Sequence, residues 1–366
     1  MLQYILSFII LISIVVFIHE YGHYYFAKKY KVGVTDFSIG FGKELFGFND
    51  KDGTRWKICA IPLGGYVKFF GDSNSASQPT KLSEINEAYH SKLLTTKPLY
   101  QRAIIVSAGP IANFLLAIFI FAIIFMTVGK DKTLPIISEV NKNSPALEAG
   151  LKNNDQIIFI DNKKIESIND VALFITTSKN KSIKIDVLRN RKELSFTVVP
   201  EKKTIKDNFG NKVERKLIGI KIAPLKGQLT RDKMRPDKAI FLSVKETYNT
   251  VAMTLSYIGR MIIGQESADQ LGGPIKIAQI SGKVAEHGLV PFLSIMAYIS
   301  ISLGLINLFP IPLLDGGHLF FYLIEFIRGK PLSDNVQIYF YKFGMFVLFT
   351  LMFFATFNDL KSLGFF

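Results

Sequence analysis

Residues 2–27 read LQYILSFIILISIVVFIHEYGHYYFA, an apolar run that carries two histidines and a glutamate toward its end. The run is long enough to cross about 30 Å of hydrocarbon as a helix. No basic residue precedes it and no small-x-small cleavage site follows, so it reads as a retained span rather than a removed signal. Within it, His19-Glu20-Tyr21-Gly22-His23 matches H-E-x-x-H. On a helix the two histidines at i and i+4 share a face and can present ring nitrogens to one zinc ion, while the glutamate reaches a water beside it. The bland alternative ends the span at Ile18 and leaves HEYGH at a wet cytoplasmic edge. Tyr24-Tyr25-Phe26-Ala27 argues that the apolar helix continues. Counted from Leu2, His19 lies about 26 Å along, inside the hydrocarbon thickness. Ionisable groups at that depth are costly unless paired or metal-bound, and are functional by default.

Composition points the same way. The chain has 366 residues, is 49% hydrophobic, contains 32 Phe and carries a formal charge of +14. Such apolar content predicts a membrane protein. The basic balance then reads as Lys/Arg loops on the cytoplasmic side and lipid contacts, not as a nucleic-acid surface. With a single cysteine, Cys59, an intrachain disulfide and a Cys-rich zinc cluster are both excluded. Any metal must be held by His and carboxylate.

Working outward, residues 1–27 form the first span with HEYGH, and 28–102 a polar loop. Its first part reads as a β-hairpin turning at Asp50–Gly53, because an Asp-Gly pair flanked by strand formers is a hairpin signal. The second part, Ser73 to Pro98, is rich in Ser, Asn and Thr and reads as a mobile loop. Lys and Arg crowd this loop, which places it in the cytoplasm and the N-terminus outside. A second span covers 103–128. Residues 132–224 have the composition of a soluble domain outside the membrane, and 225–288 form a connecting amphipathic region with an interfacial helix from Pro236 to Gly264. The third apolar segment, 289–327, is too long for one straight span and too short for two. Asn307, Pro310, Pro312, Asp315, Gly316 and Gly317 sit in its middle, so the chain unwinds there. Unwound backbone at membrane depth needs a protein-lined or wet cavity. A fourth span runs over 338–357.

A catalytic zinc takes three protein ligands and a water, and no His or Glu follows His23 at metzincin spacing. Asp315, in LLDGGH, is a carboxylate deep in an apolar run, and His318 is the competing ligand. A purely structural role for Asp315, capping a helix, stays open at this point. Asn113 reads as a hydrogen-bonder between helices.

Taken together, HEYGH, the GFG and GGY elements of the loop, SAGPIANF, LGGPIKIAQISG and NLFPIPLLDGGH resemble the site-2 protease family of intramembrane zinc metalloproteases, of the bacterial regulator of sigma-E protease type. The resemblance implies a polytopic α-helical membrane protein of about four transmembrane helices, with a cytoplasmic β-hairpin region and an inserted PDZ-like α+β domain at 132–224. It implies one Zn2+ held by His19, His23 and Asp315, with Glu20 as the base and Asn307 positioning substrate or stabilising the oxyanion. The hairpin would pair with an unwound substrate as an added strand. Substrates would be transmembrane proteins or remnant signal peptides. The location would be the bacterial cytoplasmic (inner) membrane, with the PDZ-like domain on the periplasmic side. The chain has room for one PDZ-like domain where better-known bacterial members carry two. A non-proteolytic scaffold is disfavoured, because a scaffold has no use for these ligands.

Overall fold

A computed structural model describes residues 2–72, 85–178, 181–206, 212–223, 231–264 and 272–363. The chain divides into one unit of Met1–Ala122 with Ile240–Phe366 and a second of Ile123–Ala239.

The first unit opens with α1, Leu2–Lys29. One stripe of it is buried, running through Leu11, Val15, His19, His23 and Ala27 at four-residue spacing, while Ile5, Ile10, Ile14, Tyr21 and Tyr25 are exposed on the other side. A helix that is apolar on both its buried and its exposed face belongs in a membrane or a large core. Lys31 ends it in the left-handed region at φ 56, and Val32 N–H closes on the Ala27 carbonyl at 2.8 Å.

Strands β1 (Val34–Asn49) and β2 (Arg55–Phe69) follow, joined by a turn over the predicted Asp50–Gly53, where Asp50 N–H donates to the Thr54 carbonyl. The pairing is richer than a plain hairpin. Residues 36–39 pair on one side with 65–68 and on the other with 55–58, so the two strands curl into a small sheet. Gly40, Gly42 and Gly64 adopt positive φ where the strands bend. Phe37, Val67 and Phe69 form its core with Ala27 of α1, and Phe37 stacks on Trp56 at 4.1 Å. Residues 73–84 of the expected mobile loop lie outside the described residues; its described remainder holds a 3-10 helix, Glu87–Lys92. Helix α2, Leu99–Thr127, contains Pro110.

The second unit contains β3 (Lys130–Asp131), β4 (Ile136–Val140), α3 (Pro145–Glu148), β5 (Gln156–Ile160), β6 (Lys163–Lys164), α4 (Ile168–Thr177), β7 (Ile183–Arg189), β8 (Lys192–Val198), β9 (Glu201–Lys206), β10 (Lys212–Leu217), β11 (Ile220–Ala223) and β12 (Arg231–Asp232). The main sheet has the order β11-β4-β5-β7-β8, with β6 on β5. Period-two alternation explains it: Ile183, Ile185 and Val187 of β7 point into a core with Ile137, Leu151, Ile157 and Val171, and the residues between them face out. Helix starts are capped as the sequence allows, by Ser144 before Pro145 and by the Ser167/Asp170 capping box. The fully buried Asp155 is matched by the Arg189 guanidinium at 2.6 Å.

Among the described residues, five more helices follow: α5 (Pro236–Ile262), α6 (Pro274–Glu286), α7 (Leu289–Asn307), α8 (Asp315–Arg328) and α9 (Asp334–Ser362). On α5, small polar side chains (Ser243, Thr247, Thr250) are buried and Phe241, Val244, Tyr248, Leu255 and Ile262 are exposed, the reverse of a water-facing helix. The N-terminus of α6 is held by α9, where the buried Asp359 carboxylate accepts from the backbone N–H groups of Gly273, Ile275 and Lys276 at 2.8, 3.0 and 3.1 Å. Among the described residues, four helices are long and apolar enough to cross a membrane: α1, α2, α7 and most of α9. The third apolar segment is broken, α7 ending at Asn307 and α8 beginning at Asp315.

Candidate metal centre

His19 and His23 stand one turn apart on the buried stripe of α1, and both are almost wholly buried. Their Nε2 atoms are 3.3 Å apart. Asp315 reaches them from the first turn of α8, with Oδ2 3.2 Å from His19 Nε2 and Oδ1 3.4 Å from His23 Nε2. A tetrahedral zinc with bonds of about 2.0–2.1 Å would hold its ligand atoms about 3.3–3.4 Å from one another, which is the spacing observed. Asp315 Oδ2 is buried and receives no hydrogen bond, an expense that a bound cation would offset. Among the described residues, these three form the group able to hold a metal ion.

Both ring orientations suit that role. His23 Nδ1 lies 2.9 Å from the Ile105 carbonyl oxygen, which can only accept. Nδ1 therefore carries the proton, and Nε2 keeps its lone pair for the cluster. Against the two rings, α2 presents Gly109. A Cβ there would run into His23 Nε2, the nitrogen that faces Asp315, and come within 2.6 Å of His23 Cε1 and 2.9 Å of His19 Cε1, so a side chain at this position collides with both rings.

The approach of Asp315 depends on the break between α7 and α8. Pro310 and Pro312 cannot donate to a helix, and Leu313 sits at φ 84, a strained value for a bulky residue. Gly316 and Gly317 then pack directly on backbone atoms of Leu308 and Ile311. The chain thereby restarts as a helix with Asp315 in its first turn and its carboxylate on the histidines rather than on its own backbone.

Glu20 is buried beside the pair, against the Val67 backbone of β2. Asn307, the last residue of α7, places its side-chain amide 3.2 Å from His19 Nε2. A cavity of about 1100 Å³ opens on the centre, lined by Glu20, the Gly64–Val67 stretch of β2, Leu303, Asn307 and Asp315. His318 lines the same cavity, but its ring packs near Tyr341, at 5.8 Å. His90 and His287 are turned to the backbone carbonyls of Ile85 and Lys283.

Two residues of this region were not assigned a part at the site from sequence. Asn113, read as an inter-helix hydrogen-bonder, directs its side-chain amide to His19 Nδ1 at 3.2 Å. Its signal was a lone amide in an apolar span. Gly109, four residues earlier in SAGPIANF, has no signal beyond being a small residue in a helix.

Residues 7–351 match the family model described as Peptidase family M50. A relative from Agrobacterium fabrum, named "Putative zinc metalloprotease", is 44% identical over 362 residues, covering 98% of this chain and 96% of its own length. One of the same name from Rhizobium meliloti is 39% identical, covering 99% of this chain and 98% of its own. "Metalloprotease MmpA" of Caulobacter vibrioides is 34% identical, covering 98% and 95%. Among solved structures, the PDZ domain of an SdrC-like protein from Listeria monocytogenes aligns with 25% of this chain and 90% of its own, at 21% identity and a TM-score of 0.20.

Proposed function

The chain belongs to peptidase family M50, and we propose on that footing that it is an intramembrane zinc metalloprotease that hydrolyses peptide bonds within transmembrane segments of other membrane proteins. The observation that carries this reading is the triangle of His19, His23 and Asp315 atoms, 3.2–3.4 Å on a side, beside Glu20 on a helix apolar enough to cross a membrane.

His19, His23 and Asp315 would hold one Zn2+, which when bound supplies Lewis-acid polarisation of a carbonyl and lowers the pKa of water. Glu20, buried beside the two histidines, takes the proton of the attacking water and returns it to the departing amide nitrogen. Asn307 offers its side-chain N–H to the oxygen on which charge develops. Strand β2 lines the cavity with Gly64–Val67, where an extended substrate can lie as an added strand. His19 and His23 are buried and Asp315 is partly buried, which limits competition from bulk water for these interactions.

The exposed apolar faces of α1, α8 and α9 would meet lipid, with 28–102 in the cytoplasm and the PDZ-like domain at 132–224 on the periplasmic side of the bacterial inner membrane. The reversed burial of α5 suits a helix lying against the bilayer within the connecting region 225–288. Substrates would be transmembrane proteins cut in regulated intramembrane proteolysis, or remnant signal peptides.

The test uses purified full-length protein and a model transmembrane substrate. Glu20→Gln is expected to retain zinc and lose cleavage by about 100-fold or more. Cleavage at the wild-type rate by that variant would overturn the assignment.

A further inference from the structure

Asn113 is fully buried on α2. It is held from behind, Ser300 donating to its backbone carbonyl at 2.9 Å, while Gly304 lets α7 pack close to its Cβ. Its side-chain amide is 3.2 Å from His19 Nδ1, the ring nitrogen turned away from His23 and Asp315. The two ends of that amide have nearly the same shape, and chemistry decides which faces the ring. With Nδ2 facing Nδ1, the ring would have to carry its proton on Nε2, at the atom that faces His23 and Asp315. Asn113 Oδ1 would also be left buried without a donor. With the amide turned over, Oδ1 accepts from Nδ1–H and His19 Nε2 keeps its lone pair. The Ile105 carbonyl already plays this part for His23.

We propose that Asn113 is a positioning residue for the metal centre. Its Oδ1 accepts the His19 Nδ1 proton, fixing the tautomer and ring plane that leave Nε2 free to bind metal. The proposal rests on the metalloprotease reading. Each metal histidine then has its own acceptor on α2, a backbone carbonyl for one and a side chain for the other. Outer acceptors of this kind raise ligand basicity and orient the ring, and their loss weakens metal binding about 10–100-fold.

The experiment measures zinc affinity of the purified full-length protein by competition with a chromophoric chelator, together with the visible spectrum of the Co2+-loaded form. Asn113→Leu, similar in size but with no acceptor, is expected to bind zinc about 10–100-fold more weakly. Asn113→Asp keeps an acceptor and gives up the N–H donors; it is expected to bind zinc within about threefold of wild type and to retain its Co2+ spectrum. Wild-type affinity in Asn113→Leu overturns the proposal. So does Asn113→Asp binding as weakly as Asn113→Leu, because the amide would then be acting as a donor. If the Leu variant does not fold, Asn113→Ala, which also lacks an acceptor, takes its place and is expected to show the same loss. A wild-type protein that binds no zinc removes the metalloprotease reading and this proposal together, whereas a zinc-binding wild type with an unaffected Leu variant removes only the proposal.

Discussion

Asp315 Oδ2 lies 3.2 Å from His19 Nε2, although the two residues come from opposite ends of the chain. A contact between the first turn of α8 and the buried stripe of α1 makes the candidate metal centre a tertiary clasp. Its three side chains meet only when the broken segment between α7 and α8 packs against the first helix.

Removing the carboxylate should open that clasp. Asp315→Asn is expected to abolish cleavage and lower zinc affinity by about 100-fold or more, since a ligand counts for at least as much as its outer partners. His318→Ala, with Asp315 intact, is expected to leave zinc bound. Zinc content after exhaustive dialysis separates the two. Zinc that follows His318 and ignores Asp315 would show that the ligand set is wrong.

Space beside the histidines is tested at Gly109. An added methyl would run into His23 Nε2 and press on His23 Cε1 and His19 Cε1 at 2.6 and 2.9 Å, contacts that atoms do not tolerate without moving. Gly109→Ala is expected to fold but to bind zinc at least tenfold more weakly, as displaced rings lose their orientation. Gly22→Ala, which would meet the Ala108 carbonyl instead, should damage the packing of α1 on α2 and lower the thermal midpoint. Equal zinc affinity in Gly109→Ala and wild type would contradict the close approach.

The junction of the hairpin with α1 should respond to acid. Asp50 accepts from the Thr54 backbone at 2.8 Å, from Tyr24 at 2.8 Å and from the indole of Trp56 at 3.2 Å. Burial pushes its carboxyl up, but these hydrogen bonds and Lys28 outweigh it and hold it down at about 2, against an ordinary 3.8. A depressed carboxylate contributes stability that is present above the unfolded value, near 4, and is lost as pH falls through the folded value toward 2. Solvent screening at this loop position holds the contribution to about 1 kcal/mol. The difference in thermal midpoint between wild type and Asp50→Asn should therefore be full at pH 6 and vanish toward pH 2. Trp56, the single tryptophan, provides a fluorescence signal at the same place. A difference that persists unchanged at pH 2 would rule out this account.

Sidedness is checked by labelling. With Cys59 replaced by Ala, single cysteines at the exposed positions Lys51 and Lys142 are expected to react with a membrane-impermeant thiol reagent from opposite sides of the membrane. Reaction of both in intact spheroplasts, or of neither, would refute a cytoplasmic 28–102 loop with 132–224 outside.

Local rules carried much of the architecture. The apolar runs at Leu2–Ala27 and Ala103–Val128 and the turn at Asp50–Gly53 each announce themselves within about 20 residues, because helix and hairpin propensities are short-range. The break at Pro310 and Pro312 is also local, as proline cannot donate to a helix. HEYGH announces a pair of histidines able to share a metal, since four-residue spacing on a helix puts both rings on one face. The curl of β1 against both ends of β2 was not legible, because register between distant segments is set by which faces bury.

From its residues alone the sequence determined the membrane-class composition, the helical spans, the broken third segment and the histidine pair. Between Asp315 and His318 it left the choice open, because the two are three residues apart and the direction of each side chain depends on how α8 restarts after Leu313. Only the tertiary structure turned the Asp315 carboxylate onto His19 and His23, set Gly109 where no side chain fits, and carried Asn113 to His19 Nδ1. These contacts join α1, α2 and α8 across long stretches of chain. No periodicity encodes them; they exist because packing brings three helices to within a few ångströms at one point.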